Sequence, residues 1–463
     1  MIHSPAALRV ISTRCWRALA LSAALSCCFS AADLRAEDVG SHPRSIDATP
    51  LERAVSEALD GNLADARELI EATRAQIAEL CGPLDWRLID ATLAARYIDE
   101  IAELSPDARR RLSGMRAMYE ESQQLYGLGK LLEAREKASL AVEAARAVLG
   151  DDHDETARCM NALASLYLET GEYQSAAPLL EQVAETHQRV GRLQHPDYAR
   201  TLNNQASLAV LGDGDFAVAE QLLREALDLK KQLGLNSDAT YSRALSNLGW
   251  LYLMLGDYRQ AGGPLRESLR LKQRLAMEMH PDYANNLLGL ARLRIHAKDN
   301  ETAMALVTMA KQVTERSLGK QSELYGRCLR VEGQILLADH KVDSAVPVLR
   351  EAAATVAQSV GEDTPSYATC LPALAQALAA SGQQDEALKL LEDCLTIQEP
   401  KLPPTHPDLA ETCEALAALY RTKPEFREDA EALAARANDI RNRLRVQRAR
   451  LAAAPIANSQ LQR

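Results

Sequence analysis

A period of about 42 residues runs through most of this chain and constrains its fold more than any other feature. One position marks the repeating unit, and it recurs at Gly129, Gly171, Gly214, Gly256, Lys298, His340, Gly382 and Pro424. The intervals are equal except the one from Gly171 to Gly214, which is longer by a single residue. Alanine follows seven of these eight markers by five residues. Self-similarity at such a fixed spacing indicates a repeat architecture and not a single-core domain.

Each unit is predicted to be a helix, a tight turn and a second helix. Five of the eight markers are glycine, which suits a turn that needs a positive φ. The alanine five residues after the marker and the apolar residue nine after it lie four apart, on one helical face. No segment alternates with period two, and the 47% apolar, 4% aromatic composition also favours an all-α array.

The tripeptide His-Pro-Asp occurs three times, at residues 195–197, 280–282 and 406–408. It is also the signature of J-domain co-chaperones, but those carry it once, in a much shorter helical hairpin. Here the successive separations are close to two and three repeat units. Proline suits the first turn of a helix, and aspartate is favourable near a helix N-terminus, so His-Pro-Asp is interpreted as a helix start.

The segments HPDYARTLNNQASLAV, HPDYANNLLGLARLRI and HPDLAETCEALAALYR resemble the tetratricopeptide repeats (TPRs) of kinesin light chains. The resemblance extends from about Met115 to Arg445 and implies an all-α fold, a right-handed TPR superhelix (α-solenoid) of about eight helical hairpins. Similar arrays occur in large bacterial proteins, some of which continue into a caspase-like CHAT protease domain. The family consists of interaction scaffolds with many different partners.

Five segments are predicted along the chain. They are a signal peptide (1–32), a disordered leader (33–47), a degenerate N-terminal helical segment (48–110), the repeat array (111–450) and a C-terminal tail (451–463). Within the degenerate segment we expect a hairpin that turns at Gly61. A separate helix is expected over Leu84 to Leu104, and the sequence Ser105-Pro106-Asp107 starts the next one.

The N-terminus predicts export to the periplasm or cell envelope. Three arginines precede an apolar run of about 15 residues that ends in small residues, as in a secretory signal peptide. The alternative is a lipoprotein, because Leu25-Ser26-Cys27-Cys28 resembles a lipobox, although Cys27 stands where a smaller residue is expected. The protein would meet a membrane only if Cys27 or Cys28 were lipidated.

Charge argues against nucleic acid as a partner. Without residues 1–32 the chain has 50 basic against 64 acidic residues, a net charge of −14. So acidic and aromatic-poor a chain is not typical of nucleic-acid binders. The exception is a basic last helix, interpreted as a solvated cap or as a surface for an anionic partner or membrane, with Arg436, Arg441, Arg443, Arg445, Arg448 and Arg450.

Six cysteines would remain after cleavage. Cys159, Cys328 and Cys370 occupy one slot of the repeat and are predicted to be small packing residues, since equivalent positions of stacked units lie too far apart for a disulfide. Cys394 and Cys413 are the only pair expected to approach one another. No cysteine or histidine spacing is typical of a metal site.

The sequence contains no phosphate-binding loop, His-Glu-x-x-His motif or nucleophile elbow. We therefore expect no enzymatic activity, no cofactor and no metal. Candidate function lies instead on the surface of the repeats.

Two ladders of polar residues recur on the first helices. One holds Arg158, Arg200, Arg243 and Arg327, and three or four residues further on come Asn161, Asn203, Asn204 and Asn247. This spacing puts both sets on one helical face. By the resemblance, the first helices line a concave groove and the asparagines hold the backbone of a bound peptide. A third ladder, Tyr198, Tyr241, Tyr283, Tyr325 and Tyr367, is interpreted as packing against the preceding unit.

The function expected from these features is that of an exported TPR scaffold that binds a peptide or protein segment in its concave groove. Because guanidinium groups pair bidentately with carboxylates, an acidic segment is the expected ligand. One alternative is a regulatory or adaptor subunit of a separately encoded CHAT-like protease or other envelope enzyme. A second is an envelope-assembly lipoprotein. The oligomeric state is left open.

Overall fold

A computed structural model describes residues 49–82 and 85–453 of the chain. The predicted signal peptide and leader, and the tail beyond Ala453, lie outside the described residues. Throughout the described part the secondary structure is helical, with no β-strand. None of the helices described is long and apolar enough to cross a membrane.

The degenerate N-terminal segment forms three helices, named α1 (Thr49–Asp60), α2 (Leu63–Cys81) and α3 (Trp86–Glu103). The first two make the expected hairpin, which turns at Gly61 with φ +96°. The third matches the predicted separate helix, although Leu84, its expected start, lies outside the described residues. It begins instead after Asp85, whose side chain accepts a hydrogen bond from the Arg87 amide.

Eight helical pairs follow, which we call repeats 1 to 8. Their helices are α4 (Pro106–Gly127) with α5 (Leu131–Leu149), α6 (Asp154–Glu169) with α7 (Tyr173–Arg189), α8 (Pro196–Leu208) with α9 (Phe216–Gln232), α10 (Ala239–Met254) with α11 (Tyr258–Arg274), α12 (Pro281–His296) with α13 (Asn300–Ser317), α14 (Glu323–Ala338) with α15 (Val342–Val360), α16 (Pro365–Ala368) and α17 (Leu371–Ala380) with α18 (Gln384–Gln398), and α19 (Pro407–Tyr420) with α20 (Arg427–Ala453). The predicted all-α TPR-type solenoid is thus confirmed.

The turn markers behave as the period predicts. The five glycine markers all have positive φ, and Lys298 and His340 adopt the same left-handed conformation at φ 61° and 60°. Pro424 cannot adopt it and begins a short 3-10 helix instead. Repeat 7 departs in another way, because Pro372 lacks the amide hydrogen that would continue α16 into α17.

The core consists of the predicted small and large residues of the repeating unit. The alanine at the fifth position after each marker is fully buried in repeats 1 to 7, and the aliphatic at the ninth position, such as Leu265 or Leu349, is fully buried beside it. Of the tyrosine ladder, Tyr241, Tyr283 and Tyr325 are buried, and Tyr198 and Tyr367 are half-buried against hydrophobic clusters. Of the cysteine predictions, Cys159, Cys328 and Cys370 are buried packing residues, and Cys394 and Cys413 are buried free thiols and not a disulfide.

The one extra residue between the markers Gly171 and Gly214 is accommodated at the end of the first helix of repeat 3. A π-helical turn, Ala209–Asp213, ends the first helix of repeat 3, and the carbonyl of Ala209 accepts from the amide of Asp215. Such a wider turn accommodates one residue more than an α-helical turn. Both flanking helices therefore keep their register.

Candidate functional site

The repeats wind far enough for distant units to touch. The C-terminal helix α20 packs against α9 of repeat 3. At this seam Arg448 Nε donates to Asp257 Oδ2 at 3.1 Å, and Gln447 Nε2 donates to the carbonyl of Gly214 at 3.3 Å. A Cβ on Gly171 would lie 3.0 Å from Pro365 Cδ, so the turn of repeat 2 meets the start of repeat 7. Successive turns of the superhelix are thus in contact.

Inside this winding lies a cavity of about 670 Å³, which we call the central cavity. All eight repeats contribute to its wall, mostly through their first helices and the loops that adjoin them. Its lining residues include Leu132, Glu169, Ser207, Trp250, Asn285, Arg330, Pro365 and Glu411, one from each repeat in order. A volume of several hundred Å³ is typical of ligand sites in proteins.

Two smaller cavities lie on the side of repeats 1 to 5, and they share Tyr126 and Arg243 with each other. One, of about 260 Å³, is lined by Tyr126, Asn161, Arg200 and other residues of the predicted ladders. The other, of about 140 Å³, shares Ser207 and Asn247 with the central cavity. The first helices therefore present a continuous series of cavities along the predicted concave face.

The structure brings seven of the eight predicted site residues to these cavities. Asn161, Asn203, Asn204, Arg200 and Arg243 line the 260 Å³ cavity, while Asn247 and Arg327 line the central one. Arg158 lies elsewhere. It faces a cavity of about 180 Å³ between the N-terminal helices and repeat 2, together with Tyr97 and Arg192.

The predicted asparagines bond to one another across repeats. Asn204 Nδ2 donates to Asn161 Oδ1 at 2.8 Å, and Asn247 Nδ2 donates to Asn203 Oδ1 at 3.1 Å. Asn161, Asn203 and Asn204 are buried, and Asn247 is only partly so. Part of the hydrogen-bonding capacity expected for a peptide backbone thus holds neighbouring first helices together.

Most of the predicted arginines are paired with groups of this chain. Arg158 pairs with Glu155, Arg200 with Asp197 at 3.0 Å, and Arg243 with Asp282 at 3.4 Å. Arg327 donates to Asn285 Oδ1 at 3.0 Å and lies against the Trp250 ring. The side chains of Arg200 and Arg243 remain 35% and 42% exposed, so both can still reach a ligand.

Sequence reasoning missed the charged residues that face the central cavity without an ion pair. Among the described residues, no carboxylate lies within salt-bridge distance of Arg292 or Arg330, although both residues line the cavity. Arg292 lies 5.5 Å from the Trp250 ring centroid. Trp250, Arg292 and Gln334 occupy one slot of three successive repeats, so the period could have placed Arg292 beside Trp250, although no residue type recurs in that slot.

The carboxylates of the cavity are held in a protein-enclosed space. Enclosure raises the pKa of Glu169, helped by the nearby Glu323, and it raises the pKa of Glu411, helped by Asp408. The charge of Glu169 in turn raises the pKa of Tyr126. No group of three or more His, Cys, Asp or Glu side chains in the described part of the chain has the arrangement of a metal site.

A buried amine connects the fourth and fifth repeats. Lys272 is 1% exposed, and its Nζ donates to Ser246 Oγ at 2.9 Å and to Asn286 Oδ1 at 3.2 Å. Burial lowers the pKa of Lys272 to about 8, against the opposing effect of Asp282. Its three donors are satisfied inside the wall of the 140 Å³ cavity, so we assign Lys272 to the structure of the wall.

Comparison with known families agrees with this geometry. The family model for the tetratricopeptide repeat matches residues 115–189, 197–274 and 333–399. The chain carries tetratricopeptide repeats. The matched segments fall within the helical pairs described above, and TPR proteins of this kind are non-catalytic scaffolds suited to protein–protein interaction.

Solved TPR structures show the kinesin light chain type among the neighbours. Kinesin light chain TPR-like repeats from Podosopora anserina are 22% identical, cover 44% of this chain and 97% of their own, and have a TM-score of 0.33. BtubC (BKLC) from P. vanneervenii, a bacterial example, is 21% identical, covers 52% and 93%, and has a TM-score of 0.35.

A Rap protein in complex with competence and sporulation factor is 13% identical, covers 86% of this chain and 98% of its own, and has a TM-score of 0.46. No curated protein sequence matches the chain. Likeness at these identities does not extend to function.

Proposed function

We propose that this TPR scaffold binds an extended segment of a partner protein in the central cavity. The observation that carries the proposal is that all eight repeats contribute lining residues to one cavity of about 670 Å³. A solenoid whose only role was to space its ends would not need polar and aromatic side chains turned toward a shared interior. Binding, and not catalysis, is the role proposed.

The lining supports a peptide-like ligand. In the central cavity Asn247 offers both a donor and an acceptor to a peptide backbone, and in the neighbouring 260 Å³ cavity the half-exposed Arg200 and Arg243 offer charge-assisted donors. Trp250 adds an aromatic surface. An extended acidic segment combines the groups that these side chains recognise.

A substitution that fills the cavity tests the proposal. Dodecapeptides would be selected from a random phage-displayed library on the purified protein and measured by calorimetry. Ser207→Trp places a bulky ring where the central and 140 Å³ cavities meet. Ser175→Trp makes the same exchange at an exposed position on α7 and serves as the matched control.

We expect Ser207→Trp to weaken the selected peptides by at least about tenfold, a loss of about 1.4 kcal/mol, and Ser175→Trp to leave them unchanged. Melting curves of both variants establish that each is folded. Equal binding to the wild type and to Ser207→Trp would refute the cavity as the binding site, and so would a selection that enriches no peptide.

We also propose that the protein is exported to the periplasm or cell envelope. The support is the basic start, the short apolar run and the small residues that follow it. N-terminal sequencing of the protein from its native source should find a mature start between about residues 28 and 37. Recovery of chains that begin at Met1 from the cytoplasm would contradict export.

A further inference from the structure

The central cavity has a local excess of positive charge at repeats 5 and 6. Arg292 on α12 and Arg330 on α14 both line it, and neither forms an ion pair among the described residues. The Nε of Arg330 is buried without a hydrogen-bond partner in the described part of the chain, and so is the indole Nε1 of Trp250 beside Arg292. Buried polar groups in proteins are nearly always hydrogen-bonded, so these donors indicate a place for an acceptor.

Neighbouring arginines differ in this respect. Arg243 has Asp282 at 3.4 Å, and Arg327 donates to Asn285 at 3.0 Å. Enclosure, together with the charge of Arg330, lowers the pKa of Arg292. Glu411 and Asp408 oppose this effect on the pKa of Arg292.

One carboxylate of the last repeat shares this space. Glu411 lies on α19, one helical turn after Asp408, and both residues line the central cavity. Glu411 is exposed to the cavity and has no ion-pair partner among the described residues, yet the charges of Arg292 and Arg330 both act on its pKa. Glu411 thus places a negative charge near Arg292 and Arg330 without forming an ion pair with either.

We propose that Arg292 and Arg330 bind a carboxylate of the partner segment, and that Glu411 is an internal competitor that this carboxylate displaces electrostatically. The inference rests on the proposed function and adds to it the two residues that bind the carboxylate and a form of regulation. A carboxylate accepts from two guanidinium groups at once and supplies the negative charge that a bound water lacks. In the free protein the negative field of Glu411 weakens the site for any anion.

The probe is an acetylated, amidated hexaglutamate peptide, with the hexaglutamine peptide and inorganic phosphate as comparison ligands, each titrated into the full-length protein by calorimetry. We expect Arg292→Gln and Arg330→Gln each to weaken hexaglutamate by about tenfold. Glu411→Gln should strengthen it about threefold, because it removes a like charge and keeps the shape of the side chain. Arg294→Gln is the matched control, since this arginine of the same helix is 51% exposed and pairs with Asp299.

The gain in Glu411→Gln cannot come from a folding defect, so this variant decides the competitor role. Unchanged or weaker binding in Glu411→Gln would overturn it. An equal loss in Arg294→Gln, tight binding of hexaglutamine, or phosphate affinity equal to that of hexaglutamate would overturn the carboxylate site, and so would no binding of hexaglutamate to any form. If these variants all bind the phage-selected peptides normally while Ser207→Trp does not, the inference fails and the proposed function stands.

Discussion

The histidines of the His-Pro-Asp segments are side-chain caps. The Nδ1 atoms of His195, His280 and His406 each accept from the amide of the aspartate two residues later, at 3.1, 3.1 and 3.2 Å. His153 caps repeat 2 in the same way. The sequence predicted the helix start from proline and aspartate, but histidine is not among the preferred N-caps, so its role could not be predicted.

This capping requires neutral imidazole and predicts a pH dependence. Burial lowers the pKa of His406 below its usual 6.5, so the unfolded chain takes up the proton first. The stabilising contribution is therefore complete above the usual pKa of histidine and declines as the pH falls below it. His406→Asn keeps a capping acceptor without the titration.

We expect wild type to lose more stability between pH 7 and pH 5 than His406→Asn, measured as the difference in free energy of unfolding by urea titration at each pH. Protonation of carboxylates in acid also lowers the free energy of unfolding, but by the same amount in both proteins. Asp282 is an example, since burial opposes its charge but Arg243 lowers its pKa overall. Identical pH profiles would mean that the cap does not titrate.

At the residue scale, the sequence predicted the candidate site only in part. A ladder can be recognised because one residue type recurs, and seven of the eight predicted site residues do line the central cavity or the 260 Å³ cavity. Arg330 has Ser246, Leu288 and Pro372 at the equivalent positions of other repeats, so periodicity gave no reason to choose it. Its significance depends on which charges meet across the cavity, and that is decided by the superhelical winding.

At the scale of the helices, a large side chain of the second helix packs against a small residue of the first helix. A Cβ on Gly333 would lie 2.4 Å from Leu349 Cγ, and one on Gly249 would lie 2.5 Å from Leu265 Cγ. The helices therefore pack at a distance that only glycine permits at these positions. The sequence predicted this close packing from the alanine and aliphatic slots of the second helix, because the alanine recurs in seven of the eight units.

Two glycine-to-alanine substitutions should change stability in opposite directions. Gly333→Ala should destabilise the fold by about 1–3 kcal/mol because the core is overpacked. Gly114→Ala, at a position in α4 with no atom within 4 Å of the added Cβ, should stabilise it by about 0.5–1 kcal/mol through helix propensity. Thermal or urea unfolding measures both. A stabilised Gly333→Ala protein would refute the close approach of α14 and α15.

At the scale of the whole array, contacts between successive superhelical turns were not predictable from the period. Each repeat adds a small rotation to the last, and the sum over the intervening repeats decides whether α20 reaches α9. The structure joins them through a cluster of buried residues that contains Phe216, Leu223, Ile440 and Leu444. Repeats 3 and 8 are thereby coupled although four other repeats separate them along the chain.

This coupling predicts a remote effect of a core substitution. Leu444→Ala should destabilise the seam by about 2–5 kcal/mol, since Leu444 is 4% exposed. Amide hydrogen exchange should then become faster in α9 as well as in α20. Faster exchange confined to repeat 8 would show that the two turns are not coupled.

The most direct test of the binding account is a photo-cross-linking comparison between the inside and the outside of the solenoid. Benzoylphenylalanine would replace Trp250, in the wall of the central cavity, or Met309, which is 46% exposed on α13. With the phage-selected peptides, the account predicts adducts at position 250 and none at position 309, read by mass spectrometry. Adducts at position 309 with none at position 250 would contradict it.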